Sequence, residues 1–87
     1  MAKYSIAFKK SVAKDFRNIP NKDVKRILQR INLLCDNPRA DGCIKLSGQE
    51  RYRVRKGIYR IMYEIQDFAL VVLVVKVAHR GKIYKSS

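Results

Sequence analysis

Hydrophobic and polar residues alternate near the start of the chain. Tyr4, Ile6 and Phe8 fall on one side of an extended segment, and Ser5 and Ala7 fall on the other. A period of two is typical of a strand with one buried face. The pattern therefore predicts a short first β-strand.

The spacing of hydrophobic residues then changes to three and four, which is typical of amphipathic helices. The first predicted helix is capped by Ser11 and ended by Pro20, and the second begins after Asn21 and ends before Asn37-Pro38. The second helix has an apolar stripe made of Val24, Ile27, Leu28, Ile31, Leu34 and Cys35. Because the turn between the helices is very short, we expect an antiparallel helical hairpin.

The second half of the chain returns to a period of two. Residues 38–50 are predicted to form a loop, since glycines interrupt them at positions 42 and 48. Three strands are then predicted as a tight meander, with turns at Lys56-Gly57 and near Asp67-Phe68. The last strand, residues 70–78, is almost wholly apolar, as expected of a central strand that is buried on both faces.

These elements predict an α+β fold with the order β-α-α-β-β-β. The helical hairpin is expected to pack on one face of a mainly antiparallel four-stranded sheet, whose other face carries arginines. Because the chain has only 87 residues, we expect a single domain spanning residues 1–87.

The charge of the chain gives the first indication of its function. Twenty Lys and Arg residues face seven Asp and Glu residues, a net charge of +13. Such an excess repels itself in a compact protein, and a polyanion such as nucleic acid relieves the repulsion. The alternatives are a solvated basic surface or a surface that binds an acidic protein. A hydrophobic content of 47% argues against disorder.

Other features exclude several classes of protein. Cys35 and Cys43 are expected to be reduced thiols, and with a single histidine we expect neither a zinc site nor any other metal or cofactor. The longest apolar run, residues 68–75, is too short to span a bilayer. The first residues lack the apolar segment of a signal peptide, so we expect a cytoplasmic protein.

Arginines dominate one side of the first meander strand. Period-two geometry places alternate residues of that strand together, and an arginine of the next strand can lie beside them across the hairpin. The four residues are Arg51, Arg53, Arg55 and Arg60. Guanidinium groups bind phosphate oxygens through planar pairs of donors, which makes phosphate the expected ligand. The alternative is ordinary strand polarity, with Glu50 and Glu64 neutralising part of the charge.

A second candidate cluster follows the last strand. His79 lies at the strand end beside Arg80, where basic surroundings favour a neutral imidazole that can accept a proton. A purely structural histidine is the alternative. Tyr84 can stack on a base or orient a phosphate, or it can close the edge of the core. The remaining residues expected to bind RNA are Lys45, Arg51, Lys56, Lys82 and Lys85.

Several of these segments together resemble the RelE/ParE toxin superfamily. The matching segments are Leu46-Ser47-Gly48, residues 52–55, residues 57–63, His79-Arg80 and Ile83-Tyr84. The resemblance implies the RelE-like microbial RNase fold and the toxin of a type II toxin–antitoxin system. It further implies a ribosome-dependent endoribonuclease that cleaves mRNA in the A site and inhibits translation. The implied partners are mRNA, the ribosome with its rRNA, and a RelB-type antitoxin.

The resemblance also implies roles for individual residues. Arg53 and Arg55 match two basic active-site positions, and Arg60 matches the arginine that stabilises the phosphate. Arg80 matches the basic residue after the last strand, and Tyr84 matches the tyrosine that stacks on a base. Cleavage is then expected to need no metal, with the 2′-hydroxyl attacking the adjacent phosphate.

The chain departs from the family pattern at the first two of these positions. RelE toxins often have lysines where this chain has Arg53 and Arg55. Arginine is a poor general base because its pKa exceeds about 12. The departure makes His79 a candidate for the base, since related RNases use a histidine near this position.

Two other functions remain open at this stage. A ParE-like inhibitor of DNA gyrase without nuclease activity would have the same fold, so the fold cannot decide between them. The basic cluster with His79, Arg80 and Tyr84 favours the RNase. The third possibility is a nucleic-acid-binding module without activity.

Overall fold

A computed structural model describes residues 3–39, 42–46 and 51–79 of the chain. Two helices pack on one face of a five-stranded, mostly antiparallel sheet, which confirms the predicted α+β fold. The elements in chain order are β1 (Ser5–Phe8), α1 (Lys10–Arg17), α2 (Asn21–Leu33), β2 (Ile44–Lys45), β3 (Arg51–Lys56), β4 (Tyr59–Gln66), a 3-10 turn (Asp67–Ala69) and β5 (Val71–His79).

The strands lie in the order β1-β5-β4-β3-β2. All neighbours are antiparallel except β1 and β5, which are parallel because the helical hairpin carries the chain back to the same end of the sheet. The prediction of four strands missed β2, which lies in the segment predicted to be a loop. Two residues cannot show a period of two; β2 is defined instead by the pairing of Ile44 with Arg53 and of Lys45 with Tyr52.

The first helix begins two residues earlier than predicted and the second begins one residue earlier. Lys9 is the N-cap of α1 and Pro20 is the N-cap of α2, and neither makes a side-chain capping bond. At the start of α1 the Lys9 amide makes a tertiary contact, donating to the Val74 carbonyl at 3.0 Å. At the start of α2 the Pro20 carbonyl accepts from the amide of Asp23, within the same helix, at 2.9 Å. Ser11 and Asn21, which were predicted as caps, lie inside the helices.

The sequence suggested that the apolar strand β5 is the central strand of the sheet, and this prediction is wrong. β4 occupies the centre, and β5 lies between β4 and β1. Only one face of β5 is well covered: Val72 and Val74 are fully buried, whereas Val71 and Leu73 are partly exposed. The sheet therefore has a covered face, which packs on the helices, and an open face, which does not.

The core lies between the helices and the covered face. The helices contribute Val12, Ile27, Ile31 and Leu34, and the central strand contributes Ile61 and Tyr63, all with at most 1% of their surface exposed. The Tyr63 hydroxyl donates to the carbonyl of Pro38 at 2.6 Å, and burial raises the pKa of this phenol. The core can therefore bury the whole Tyr63 side chain, because its hydroxyl has a hydrogen-bond acceptor.

A polar clamp joins three segments at one end of the sheet. Arg39, after α2, donates two hydrogen bonds to Asp67 at 2.8 and 3.1 Å and a third to the Tyr52 hydroxyl at 3.1 Å. The Tyr4 hydroxyl donates to Asp67 at 2.6 Å. The guanidinium of Arg39, and after it the hydroxyl of Tyr4, lower the pKa of Asp67 to about 2. The clamp ties the start of β1 and the loop after α2 to the turn between β4 and β5.

Candidate active site

Strands β3 and β4 place four arginines on the open face of the sheet. Arg53 is paired with Met62, Arg55 with Arg60, and Arg51 with Glu64. Tyr52 and Val54, which alternate with these arginines, are buried on the covered face. The hydrophobic side chains fix the register, because a slip of one residue would bury the arginines. The prediction that the four arginines share one face is confirmed.

Arg55 and Arg60 lie directly opposite one another across the hairpin. Like charges in this position destabilise a pair of strands, because side chains of opposed residues are close neighbours. The opposition of Arg55 and Arg60 therefore adds a like-charge repulsion to this end of the hairpin. An anion between the two guanidinium groups would turn the repulsion into a stabilising interaction.

Arg53 lies beside this pair and is only partly exposed. Its Nε is buried and makes no hydrogen bond within the described part of the chain. A buried donor without an acceptor costs about 1–3 kcal/mol, and more for a charged group. A phosphate oxygen would be a suitable acceptor for this N–H group.

Glu64 is the only acidic residue in the sequences of β3, β4 and β5. One of its oxygens lies 3.5 Å from Nε of Arg51, and the other accepts a hydrogen bond from Gln66 at 3.1 Å. Glu64 thus neutralises Arg51, as the sequence allowed, and lies four residues away from Arg60 along β4. The positive charge of the open face is concentrated toward the turn between β3 and β4.

His79 lies on the covered side of the sheet and not with the arginines. It is paired with Tyr59, whose ring it meets edge-on with 5.5 Å between the ring centroids. The Tyr59 hydroxyl donates to Asp23 of α2 at 2.8 Å, and burial, helped by this bond, raises the pKa of Tyr59. On the open face the partner of Arg60 is Ala78. The expected closure of the arginine cluster by His79 is therefore corrected.

A β-bulge explains why the sequence could not place His79. The register between β4 and β5 shifts between Met62, paired with Lys76, and Tyr63, paired with Val74. Val75 is the extra residue, so the side-chain alternation of β5 reverses beyond it. An uninterrupted apolar run hides such a reversal, because it shows no alternation that could change.

The other predicted RNA-binding residues are divided between faces and segments. Lys45 and Lys56 are exposed, but they are paired with Tyr52 and Tyr59 and so lie on the covered side at the far edge of the sheet. Arg80, Lys82, Tyr84 and Lys85 lie outside the described residues.

One basic residue of the open face was not predicted. Lys76 is paired with Met62 and is exposed, with its Nζ 3.7 Å from a carboxylate oxygen of Asp15. The available signal was its position as the single charge within an apolar strand. The partly buried Met62 separates Arg53 from Lys76 and gives the open face an apolar centre.

Within residues 3–39, 42–46 and 51–79, no group of His, Cys, Asp and Glu side chains could hold a metal ion. Cys35 and Cys43 are free thiols. In the same ranges, no helix is both long and apolar enough to cross a membrane.

Comparisons with known proteins agree with this geometry. The sequence model of a family described as the ParE toxin of the type II toxin–antitoxin system parDE matches residues 3–84. A protein of Methanocaldococcus jannaschii that carries the name toxin RelE1 is 27% identical over 88 residues, which cover 97% of this chain and 98% of that protein.

Solved structures give the same picture. A chain of the RelB–RelE antitoxin–toxin complex from Methanococcus jannaschii is 29% identical, with a TM-score of 0.73 over 92% of this chain and 96% of that chain. The archaeal RelE–RelB complex from Pyrococcus horikoshii OT3 contains a chain that is 25% identical, with a TM-score of 0.76 over 94% of this chain and 99% of that one. The isolated RelE toxin of E. coli, at 20% identity, has the same fold with a TM-score of 0.78 over 95% and 93%.

Proposed function

Because the chain belongs to the RelE/ParE superfamily of type II toxin–antitoxin toxins, we propose that it is a ribosome-dependent endoribonuclease. In this proposal it cleaves mRNA in the ribosomal A site and thereby inhibits translation. The observation that carries the proposal is the direct opposition of Arg55 and Arg60, with Arg53 beside them. Opposed guanidinium groups on one sheet face suit an anion such as an RNA phosphate, which can accept from both.

The proposed reaction needs no metal ion. The 2′-hydroxyl oxygen attacks the adjacent phosphorus, and the bond from phosphorus to the 5′-oxygen breaks. Arg60 and Arg80 stabilise the charge that develops on the phosphoryl oxygens, while Arg53 and Arg55 hold the phosphate. One preorganised donor commonly accounts for about 10²–10³-fold in rate. The ribosome would contribute by fixing the geometry of the codon, and Tyr84 by stacking on a base.

His79 is the candidate for the residue that transfers a proton. His79 directly precedes Arg80, but its ring packs on Tyr59 at the covered side of the sheet. His79→Phe keeps an aromatic ring against Tyr59 and removes the proton acceptor. If His79 is the base, this variant loses cleavage; if His79 only supports the strand end, the variant keeps cleavage and His79→Ala loses it.

The proposal is tested by adding the purified protein to ribosomes that hold a defined mRNA codon in the A site. The expected result is new mRNA ends within that codon and none in the same mRNA without ribosomes. The 3′ product should carry a 5′-hydroxyl, as attack by the 2′-hydroxyl requires. Intact mRNA on ribosomes, at protein concentrations that arrest growth, would contradict the proposal.

Inhibition of DNA gyrase is the second candidate, because the matching family model describes a ParE toxin. Such a toxin has no need for opposed arginines on an open sheet face. Induction of the protein in cells separates the two functions. Breaks in DNA at gyrase sites, with mRNA intact, would favour the gyrase inhibitor, and mRNA ends inside translated codons would favour the RNase.

We further propose that the chain binds a RelB-type antitoxin, since relatives are found in RelB–RelE complexes. A groove of about 420 Å³ between β1 and α2 is lined by Ile6, Phe8, Leu28, Gln29, Ile31 and Asn32. Phe8 and Leu28 are 44% and 39% exposed there. An amphipathic antitoxin helix with an acidic polar face would cover these side chains and complement the basic protein. Phe8→Ser should weaken the complex, and an unchanged affinity would exclude this groove.

A further inference from the structure

The helical layer has a basic surface of its own, separate from the open face. Between residues 9 and 30 there are eight Lys and Arg residues and two Asp residues. Six of the basic residues form an exposed group that we call the helical basic surface. They are Lys10, Lys14, Arg17, Lys22, Lys25 and Arg26. This group lies on the far side of the molecule from the open face, because the helices cover the opposite side of the sheet.

The spacing of these residues keeps them together. In α1 they follow at steps of four and three, and in α2 at steps of three and one, so each set lies on one side of its helix. The turn at residues 18–20 brings Arg17, at the end of α1, close along the chain to Lys22, at the start of α2. The two sets therefore form one continuous surface on the hairpin.

The two acidic residues of the helices do not neutralise this surface. Asp15 accepts a hydrogen bond from the Val77 amide at 3.1 Å, and its side chain is only 18% exposed. Asp23 accepts the Tyr59 hydroxyl at 2.8 Å. Both carboxylates are directed to the sheet, so the outer side of the hairpin keeps its full positive charge.

The arrangement is unfavourable for the helices themselves. Lys10 and Lys14 are like charges at a spacing of four, as are Lys22 and Arg26, and such pairs destabilise a helix. Lys10 and Lys22 also lie in first turns, where the helix dipole favours acidic residues, and α1 has none there. A bound polyanion would relieve this repulsion.

The lack of apolar anchors points to RNA backbone as the occupant. Throughout residues 9–27, all of which the structure describes, no large hydrophobic residue is exposed. Protein interfaces are centred on apolar and aromatic residues and are poor in lysine, whereas interfaces with nucleic acid are polar and positive. Without an exposed aromatic ring to stack on a base, the surface suits the phosphates of folded RNA.

We propose that the helical basic surface is a second RNA-binding site, which holds the backbone of folded RNA independently of sequence. The open face then remains available for the strand to be cleaved. The proposal concerns binding alone and does not depend on cleavage, so it can be tested with RNA in the absence of ribosomes.

The test compares the wild type with Lys10→Gln/Lys14→Gln/Lys22→Gln, measuring affinity for a fully paired RNA hairpin by fluorescence anisotropy over a series of salt concentrations. Each lost phosphate contact should lower the slope of log K against log salt by about 0.7–0.9. The triple variant should therefore lose about 2–3 in slope and at least tenfold in affinity near 0.1 M salt. Glutamine forms helices about as well as lysine, so the fold should be kept.

The matched control is Lys10→Arg/Lys14→Arg/Lys22→Arg, which keeps every charge and should keep the slope. An unchanged slope in the glutamine variant would overturn the proposal. So would an equal loss in the arginine variant, because charge would then not be the cause. Loss of antitoxin binding with intact RNA binding would assign the surface to the antitoxin instead. Cleavage on programmed ribosomes is measured separately: its failure in the wild type would refute the proposed RNase, while the hairpin affinities would still decide this proposal.

Discussion

The two faces of the sheet are built from the same strands but have opposite energetics. On the covered face, Ile61 and Tyr63 of β4 are fully buried, and the Tyr63 hydroxyl has a carbonyl acceptor. On the open face, Arg60 of the same strand is opposed to Arg55, and Nε of Arg53 is buried with no acceptor among the residues that the structure describes. The covered face packs the core, whereas the open face gathers guanidinium groups. We interpret that gathering as preorganisation for a phosphate.

The largest effect on stability is expected from the covered face. Ile61→Ala removes a fully buried side chain and should lower the free energy of unfolding by about 2–5 kcal/mol, measured by chemical denaturation. Met62→Ala, one residue later on the open face, should cost clearly less. Equal losses in the two variants would contradict the division of roles between the faces.

The next largest effect on stability is expected at the edge of β5 beyond the end of β1, where a side chain of α1 takes the place of a neighbouring strand. β1 ends at Phe8, opposite Val74, and beyond it the Val77 amide donates to Asp15 instead of to a strand. Asp15→Ala leaves this amide unsatisfied and should cost about 1–3 kcal/mol of unfolding free energy.

Asp15→Asn is the matched variant, since its side-chain carbonyl can still accept from Val77. It also loses the charge pair with Lys76, whose Nζ lies 3.7 Å away on an exposed side chain, and this loss should be the smaller of the two. If the asparagine variant is as unstable as the alanine variant, the hydrogen bond to Val77 is not the reason for the loss.

A smaller effect of opposite sign is expected on the open face. Arg55→Gln removes the repulsion with Arg60 and should raise the free energy of unfolding by about 0.2–1 kcal/mol while it weakens RNA binding. Arg51→Gln should not stabilise the protein, because Arg51 is paired with Glu64. Denaturation curves of both variants check the prediction, and a destabilised Arg55→Gln protein would refute the repulsion.

The smallest effect concerns the polar clamp, whose charges are satisfied within the protein. The pKa of Asp67 is lowered from 3.8 to about 2, so its contribution to stability is fully present above about pH 4 and is lost as the pH falls toward 2. The difference in unfolding free energy between the wild type and Asp67→Asn should therefore be constant above pH 4 and shrink below it. A difference that is the same at pH 2 and pH 7 would show that the carboxylate charge is not involved.

The sequence could predict those parts of the fold and site that depend on regular alternation. β3 and β4 alternate strictly, so the shared face of Arg53, Arg55 and Arg60 could be worked out from a period of two. β2 could not be found, because two residues have no period. The face of the sheet on which His79 lies depends on the bulge at Val75. The bulge falls inside an apolar run, where no alternation of polar and apolar residues shows which side chains share a face.

The clamp between Arg39 and Asp67 shows a different limit. The two residues are 28 positions apart and meet only because β4 ends where the loop after α2 passes. No local pattern marks such a pair. The engagement of Asp15 and Asp23 with the sheet has the same origin, and it determines how much positive charge the helices present.

The central claim is that the open face holds and activates an RNA phosphate. The most direct measurement is the single-turnover rate of codon cleavage on saturating programmed ribosomes with Arg60→Ala. Lys3→Ala is the matched control, since it also removes one positive charge. Lys3 precedes β1, an edge strand that β5 and β4 separate from β3. We predict a rate about 10²–10³-fold below that of the wild type for Arg60→Ala and an unchanged rate for Lys3→Ala. Cleavage by Arg60→Ala at the rate of the wild type would contradict the account.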